Sequence, residues 1–325
     1  MKKIARLLAG AVAGAFVLVT GPVAAEQKWP AKPVTVIVPF KAGGITDIVA
    51  RRLEPALSKV LGEAVVVTNI AGHSSVGTRR VIDAKPDGYE FLIHETGIMT
   101  AQASGVQAFG YKDLKPVAAM ANLCLVMLTR ADAGWTTIAE VAKGAEGRQL
   151  IAGVTIGGLS HIVALASAEL GGFDVRPVQI GGSADAYAAM LGKQIDVMYA
   201  SPADAMNYTR GADGKPRADA DLRAILYFGG ETFPGMAEVQ NMKDAGSDTT
   251  ICAPHIVFAP KDTPDAVVGA MADALEQAYG SGELREFMAM IGGTELFVKG
   301  AALEPFLQAQ WDAIAPLAER SQNGK

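Results

Sequence analysis

Residues 34–47 read Val34-Thr35-Val36-Ile37-Val38-Pro39-Phe40-Lys41-Ala42-Gly43-Gly44-Ile45-Thr46-Asp47. The opening β-branched run predicts a buried strand, and the residues from Thr46 onward predict a helix. Between them, Gly43 and Gly44 let the backbone approach a bound group closely. The first N–H groups of a helix have no partner within it. Here they point into the crevice beyond the strand's C-terminal end, where open α/β sheets bind ligands. Thr46 is placed as the cap of the helix, and Asp47 complements its dipole. Taken alone, the stretch also reads as an ordinary turn followed by an ordinary cap.

The same rhythm repeats along the chain. The helix over 46–61 carries Val49, Leu53, Leu57, Val60 and Leu61 on one face. A strand at 65–67, a helix over 76–84, a Pro86-Asp87-Gly88-Tyr89 turn and a strand at 91–93 follow. A longer apolar strand is expected at 123–128, then a helix near 137–143 and a strand at 150–154. Helices at 160–170 and 183–191 alternate with strands at 175–180, 195–198 and 224–228. A long β-run over 249–258 is interrupted by Pro254, and helices at 264–280, 283–291 and 302–317 close the chain. Residues 211–221 read as a solvated loop. Alternating strands and helices predict an α/β protein with mostly parallel sheets covered by helices.

A chain of 325 residues is too long for one compact core. Two lobes are expected, joined by two crossing strands near 124 and 252. Lobe 1 is assigned residues 26–123 plus 252–325, and lobe 2 residues 124–251. Cys124 and Cys252, the only cysteines, each lie on a crossing strand. Adjacent crossing strands bring them together, which predicts a disulfide at the hinge. The plainer alternative is two small buried hydrophobes.

The glycine-rich strand-to-helix junction recurs. Asn69-Ile70-Ala71-Gly72-His73-Ser74-Ser75-Val76-Gly77 follows the second strand. In the second lobe, residues 153–161 (GVTIGGLSH) and Gly181-Gly182-Ser183-Ala184-Asp185 occupy similar junctions. Such helix starts in both lobes line a cleft with N–H and O–H donors, suited to a dicarboxylate held at one end by each lobe. The candidate ligand-binding set is Phe40, Ala42, Gly43, Gly44, Ile45, Thr46, Asp47, His73, Ser74, Ser75, Thr96, Thr155, Gly157, Ser160, His161, Gly182, Ser183, Ser201 and Asp204. His73 has two readings, a donor to a distal carboxylate or a half-exposed loop histidine. His161 either fixes the cleft wall or packs. His94 and His255 are read as structural.

Residues 1–25 have the grammar of a secretory signal peptide. Lys2, Lys3 and Arg6 precede an uncharged, mostly apolar stretch over 7–19, and Val23-Ala24-Ala25 supplies the small residues of a cleavage site. That stretch is shorter than the ~20 residues that span a bilayer. Export to the periplasm with cleavage after Ala25 is expected. The formal charge of -5 argues against nucleic acid and anionic membranes as partners, but not against an anionic ligand held by local dipoles. The four histidines lie far apart and no metal-ligand spacing is present, so neither metal nor cofactor is expected. An exported serine hydrolase is the second class considered. Gly72-His73-Ser74-Ser75-Val76-Gly77 misses the G-x-S-x-G spacing by one residue, and no acid partner is apparent.

The sequence resembles the solute receptors of tripartite tricarboxylate transporters, the Bug/TctC-like periplasmic binding proteins. The Trp29-Pro30-Ala31-Lys32-Pro33 opening, the VPFKAGGITD loop, the Pro86-Asp87-Gly88-Tyr89 turn and the Phe258-Ala259-Pro260-Lys261-Asp262-Thr263-Pro264 segment carry the likeness, in order, across the mature chain. The resemblance implies a type II periplasmic-binding-protein fold that closes over its ligand by a hinge. It implies carboxylate capture by the first Gly-Gly loop and by residues 154–161, a monomer, and membrane subunits of a secondary transporter as partners. A receptor serving a sensor instead would have the same fold. In amino-acid-binding relatives the acid at the Asp47 position faces the ligand amine. Lys41, His73-Ser74-Ser75 and Ile180-Gly181-Gly182 depart from the family pattern, and all three lie within the candidate site.

Overall fold

The computed structural model describes residues 29–70, 74–156 and 158–323. The expected signal peptide, His73 and Gly157 lie outside the described residues. In chain order, the first part comprises β1 (Val34–Val38), α1 (Ile45–Leu61), β2 (Val65–Asn69), α2 (Ser74–Ile82), β3 (Glu90–His94), α3 (Gly97–Ala103) and β4 (Leu114–Cys124). The middle part comprises β5 (Val126–Arg130), α4 (Ile138–Gly144), β6 (Leu150–Val154), α5 (Leu159–Gly171), β7 (Val175–Gln179) and α6 (Ser183–Leu191). It continues with β8 (Val197–Ala200), α7 (Pro202–Thr209), β9 (Leu222–Tyr227) and β10 (Gln240–Asn241). The chain ends with β11 (Cys252–Pro260), α8 (Asp265–Gly280), α9 (Glu283–Met290), β12 (Thr294–Lys299) and α10 (Leu303–Asn323).

Two six-stranded sheets result, ordered β12-β4-β11-β3-β1-β2 and β10-β9-β5-β8-β6-β7. Both are mixed. The strand–helix–strand units pair in parallel (β2 with β1, β1 with β3, β7 with β6, β6 with β8), while the strands that cross between sheets pair antiparallel. That is the chemistry of connection: parallel neighbours need a helical crossover, and returning strands do not. One apolar cluster lies beneath the first sheet's α1, α8 and α9 face and another beneath α6 and α7. A third runs between the sheets, where α10 packs on both α3 and α5.

Three stretches differ from the pattern the sequence predicts. The apolar stretch at 123–128 is two strands broken at Leu125, because the chain changes sheets there; Phe228 N–H then donates to the Leu125 carbonyl at 3.0 Å. Pro254 does not interrupt β11. A register shift between Ala253 and His255 absorbs the residue that cannot donate to the ladder. The strand expected at 195–198 sits two residues later, as β8.

Cys252 lies opposite Cys124 in the β11–β4 register, and the two are joined by a disulfide across a sequence separation of 128. A further contact joins the sheets nearby: Ala203 N–H donates to the Ile291 carbonyl at 3.4 Å. Gly292, with φ +81°, packs so closely there that a Cβ would overlap Pro202.

Candidate functional site

Register decides which sheet edges face each other. β4 runs in the same direction as β1, β2 and β3, so its end at Cys124 lies at the edge where Val38, Asn69 and His94 also end. The chain enters the second sheet at Val126, which pairs with Ala200, the last residue of β8. β6 and β7 run parallel to β8, so Val154 and Gln179 end at that same edge. The loops after β1, β2 and β3 and those after β6, β7 and β8 therefore flank the crossing from opposite sides. This brings the candidate loops of both sheets to one cleft.

In the first sheet, the 40–47 loop is held from beneath by Asp47. Its carboxylate accepts the Gly43 N–H at 2.8 Å, the Asn69 amide at 2.9 Å and the Arg51 guanidinium at 3.0 Å. Burial pushes its pKa up, but these three donors outweigh burial and leave it below its ordinary 3.8. Asn69 also donates to the Phe40 carbonyl at 3.2 Å, tying the loop to the end of β2. Asp47 is 2% exposed, and both of its oxygens are engaged within the protein, so it organises the loop. Thr46 does not cap α1. Gly44 takes the extended cap conformation without a side-chain bond, which puts Thr46 inside the first turn and buries it. Ala42, Gly43, Gly44 and Ile45 are exposed and Phe40 is half-buried. A 17-residue helix thus opens, uncapped, behind an exposed glycine loop. Ser75 sits half-buried at the start of α2.

The second sheet repeats the arrangement with different supports. Thr155 N–H donates to Ser160 Oγ at 2.8 Å, and Ile156 N–H donates to the Gln179 side chain at 2.9 Å. Ser160 thereby holds the loop through its oxygen, which acts there as an acceptor. Gly158 precedes α5 without a side-chain cap. His161 is buried, and burial lowers its pKa. Gly182 and Ser183 begin α6, also uncapped. Ser201 caps α7, accepting the Asp204 N–H at 3.1 Å.

Three residues of the site are not legible as such in the sequence. Asn69 and Gln179 end strands and tie loops, and the spacing of Asp47 and Arg51 is an available i,i+4 signal. Glu95 follows β3 directly and is 9% exposed. Its Oε2 accepts the Gly97 N–H at 2.6 Å and the Thr96 hydroxyl at 3.4 Å, which turns the buried Thr96 side chain toward Glu95. Burial raises the Glu95 carboxyl to about 7, although both donors pull it down. The neighbouring His94 meets Phe40 edge-on at 5.0 Å and is pushed down to about 4 by burial.

Some stretches shared with the resembled family do not touch the cleft. Trp29 Nε1 donates to the Gly88 carbonyl at 3.1 Å, and Ala31 N–H donates to Tyr89, so the Trp-Pro opening and the Pro-Asp-Gly-Tyr turn lock each other. A surface recess of about 670 Å³ between the far ends of α4 and α5 lies at the opposite end of α5 from Ser160.

The model of the tripartite tricarboxylate transporter family receptor matches residues 49–320. Protein BugT of Bordetella pertussis is 28% identical over 302 residues, covering 89% of each chain. The solved periplasmic binding protein BugD superposes with a TM-score of 0.72 at 26% identity, over 90% of this chain and 98% of its own. MatC of Rhodopseudomonas palustris, solved with bound malate, superposes with a TM-score of 0.68 at 23% identity, over 91% of this chain and 98% of its own. Among the described residues no helix is long and apolar enough to cross a membrane.

Proposed function

The chain belongs to the tripartite tricarboxylate transporter receptor family, and we propose that it captures a small aliphatic di- or tricarboxylate between its two lobes and delivers it to membrane subunits of a secondary transporter. The observation that carries this reading is the pair of uncapped helix starts, α1 after Gly44 and α5 after Gly158, one on each side of the crossing. Each offers backbone donors and the positive end of a helix to one carboxylate. The Ser160 hydroxyl adds a donor from the second lobe. MatC with malate supports a dicarboxylate as the ligand class.

Closure follows from differential contact. A ligand bridging both lobes makes its second set of hydrogen bonds only in the closed form, and that difference shifts the equilibrium. The closed, loaded receptor is the form the membrane subunits recognise. One chain supplies both halves of the site, so the receptor acts as a monomer, exported with its leader removed after Ala25. Small-angle scattering with and without a saturating dicarboxylate tests the capture step. The radius of gyration decreases on binding if the lobes close; binding with an unchanged radius refutes capture by closure.

A further inference from the structure

Glu95 follows β3 directly, at the sheet edge where the loops after β1 and β2 also lie. β3 sits between β1 and β11, so the residue after it emerges beside the Gly-Gly loop, and Phe40 of that loop packs on His94. α3, which starts two residues later, packs against α5. The carboxyl group is held in one orientation. Both of its hydrogen bonds go to Oε2, and a Cβ at position 97 would overlap Oε1, so glycine there gives Oε1 its room. Among the described residues Oε1 takes no hydrogen bond. We propose that Glu95 is a specificity-determining residue of the cleft: protonated on Oε1, it donates a hydrogen bond to a carboxylate oxygen of the ligand, so that capture of the ligand takes up one proton. This rests on the carboxylate reading above.

The electrostatic surroundings fit. Burial is what raises this carboxyl to about 7, with no cation among its influences. Of the titratable groups on the elements around it, Asp47 is engaged by Arg51, and His94, His255 and His161 all have pKa values lowered by burial and are neutral above 6.5. Lys41 on the loop is exposed, and α3 carries no titratable side chain. On the outer elements, Arg80 of α2 pairs with Glu90 at the far end of β3, and Glu304 and Asp312 of α10 act on Tyr111; Arg79 of α2 pairs with Asp83. An anion arriving beside an ionised Glu95 would meet like charge. An anion arriving beside the acid finds a donor.

The test is calorimetric titration of the wild-type chain with C4–C6 dicarboxylates at pH 6.5 and 8.5, using whichever binds tightest, where the ligand is fully ionised throughout. The Kd is expected to rise on the order of twentyfold between the two pH values. Titration at pH 8.5 in two buffers of different ionisation enthalpy is expected to register close to one proton taken up per ligand. E95Q, which keeps a donor but cannot titrate, is expected to lose the pH dependence. A flat wild-type Kd with no proton uptake overturns the proposal, as does a Kd that falls with rising pH, the mark of an ionised Glu95 facing a ligand cation. If E95Q does not fold, the wild-type profile and proton count decide. If no dicarboxylate binds folded wild-type protein, the carboxylate reading itself fails first.

Discussion

Removing the disulfide between Cys124 and Cys252 gives the fold its sharpest quantitative test. The bond closes a loop with a sequence separation of 128, which contains all of β5 to β10. On the chain-entropy account, a loop of that length loses about 17 cal/mol/K in the unfolded ensemble, equivalent to about 5 kcal/mol at 25 °C. That is a large share of the ~5–15 kcal/mol by which folded domains are stable. Both cysteines are buried, so the C124A/C252A variant leaves no unpaired polar group and only a small void. The assay is urea denaturation followed by circular dichroism, comparing wild type with the variant and with reduced wild type. Both altered forms are expected to unfold at clearly lower urea, by an amount equivalent to about 3–5 kcal/mol. The effect acts mainly on the unfolded chain, so ligand affinity at 25 °C should change by less than about threefold. A loss below about 1 kcal/mol in both forms would mean that the cross-link does not constrain the unfolded chain.

Other perturbations test the site and its supports. D47A removes the acceptor of three donors around the Gly-Gly loop, with an expected cost of about 2–4 kcal/mol at neutral pH and at least tenfold weaker binding; unchanged binding would remove Asp47 from the account. Because the folded Asp47 carboxyl titrates below 3.8, its contribution is complete above the unfolded value and fades as pH falls through the folded one. The wild-type minus D47A stability difference should therefore shrink below about pH 4. S160A frees the Thr155 N–H and removes a ligand donor, so affinity should fall about tenfold while stability drops by only about 1 kcal/mol; wild-type affinity in this variant would contradict the placing of Ser160. G292A forces a side chain into the contact between α7 and the end of α9 at φ +81°, with an expected cost of about 2 kcal/mol in denaturation; a neutral result would mean the two sheets separate there freely.

The fold is legible in the sequence wherever periodicity and burial agree. α1 is amphipathic, with Val49, Leu53 and Leu57 buried on one face, and β1 is a short β-branched run closed by Pro39. α3 is not legible. Its Gly-Ile-Met-Thr-Ala-Gln-Ala sequence is buried nearly all round, so no polar face marks a helix. β4 is legible only at its end, because Ala118, Ala119 and Ala121 line a strand enclosed between β11 and β12 and alanine carries little strand signal. In the site, glycines and helix starts are readable as local patterns. The roles of Asn69 and Gln179 are not, since each supports a loop of a different strand. Glu95 escapes notice because an acid after a strand looks like an exposed turn until the sheet order shows that strand between two others and the residue buried.

Carboxylate binding is decided by one measurement. A chain of residues 26–325, unfolded and refolded to strip any ligand carried from the host, is heated alone and with each member of an organic-acid library. A ligand present at about 100 times its Kd adds about 2.7 kcal/mol of stability, a plain rise in Tm. Such a rise is expected for one or more di- or tricarboxylates, and a smaller one with S160A. Refolded protein with a cooperative transition that no organic acid shifts would contradict carboxylate binding.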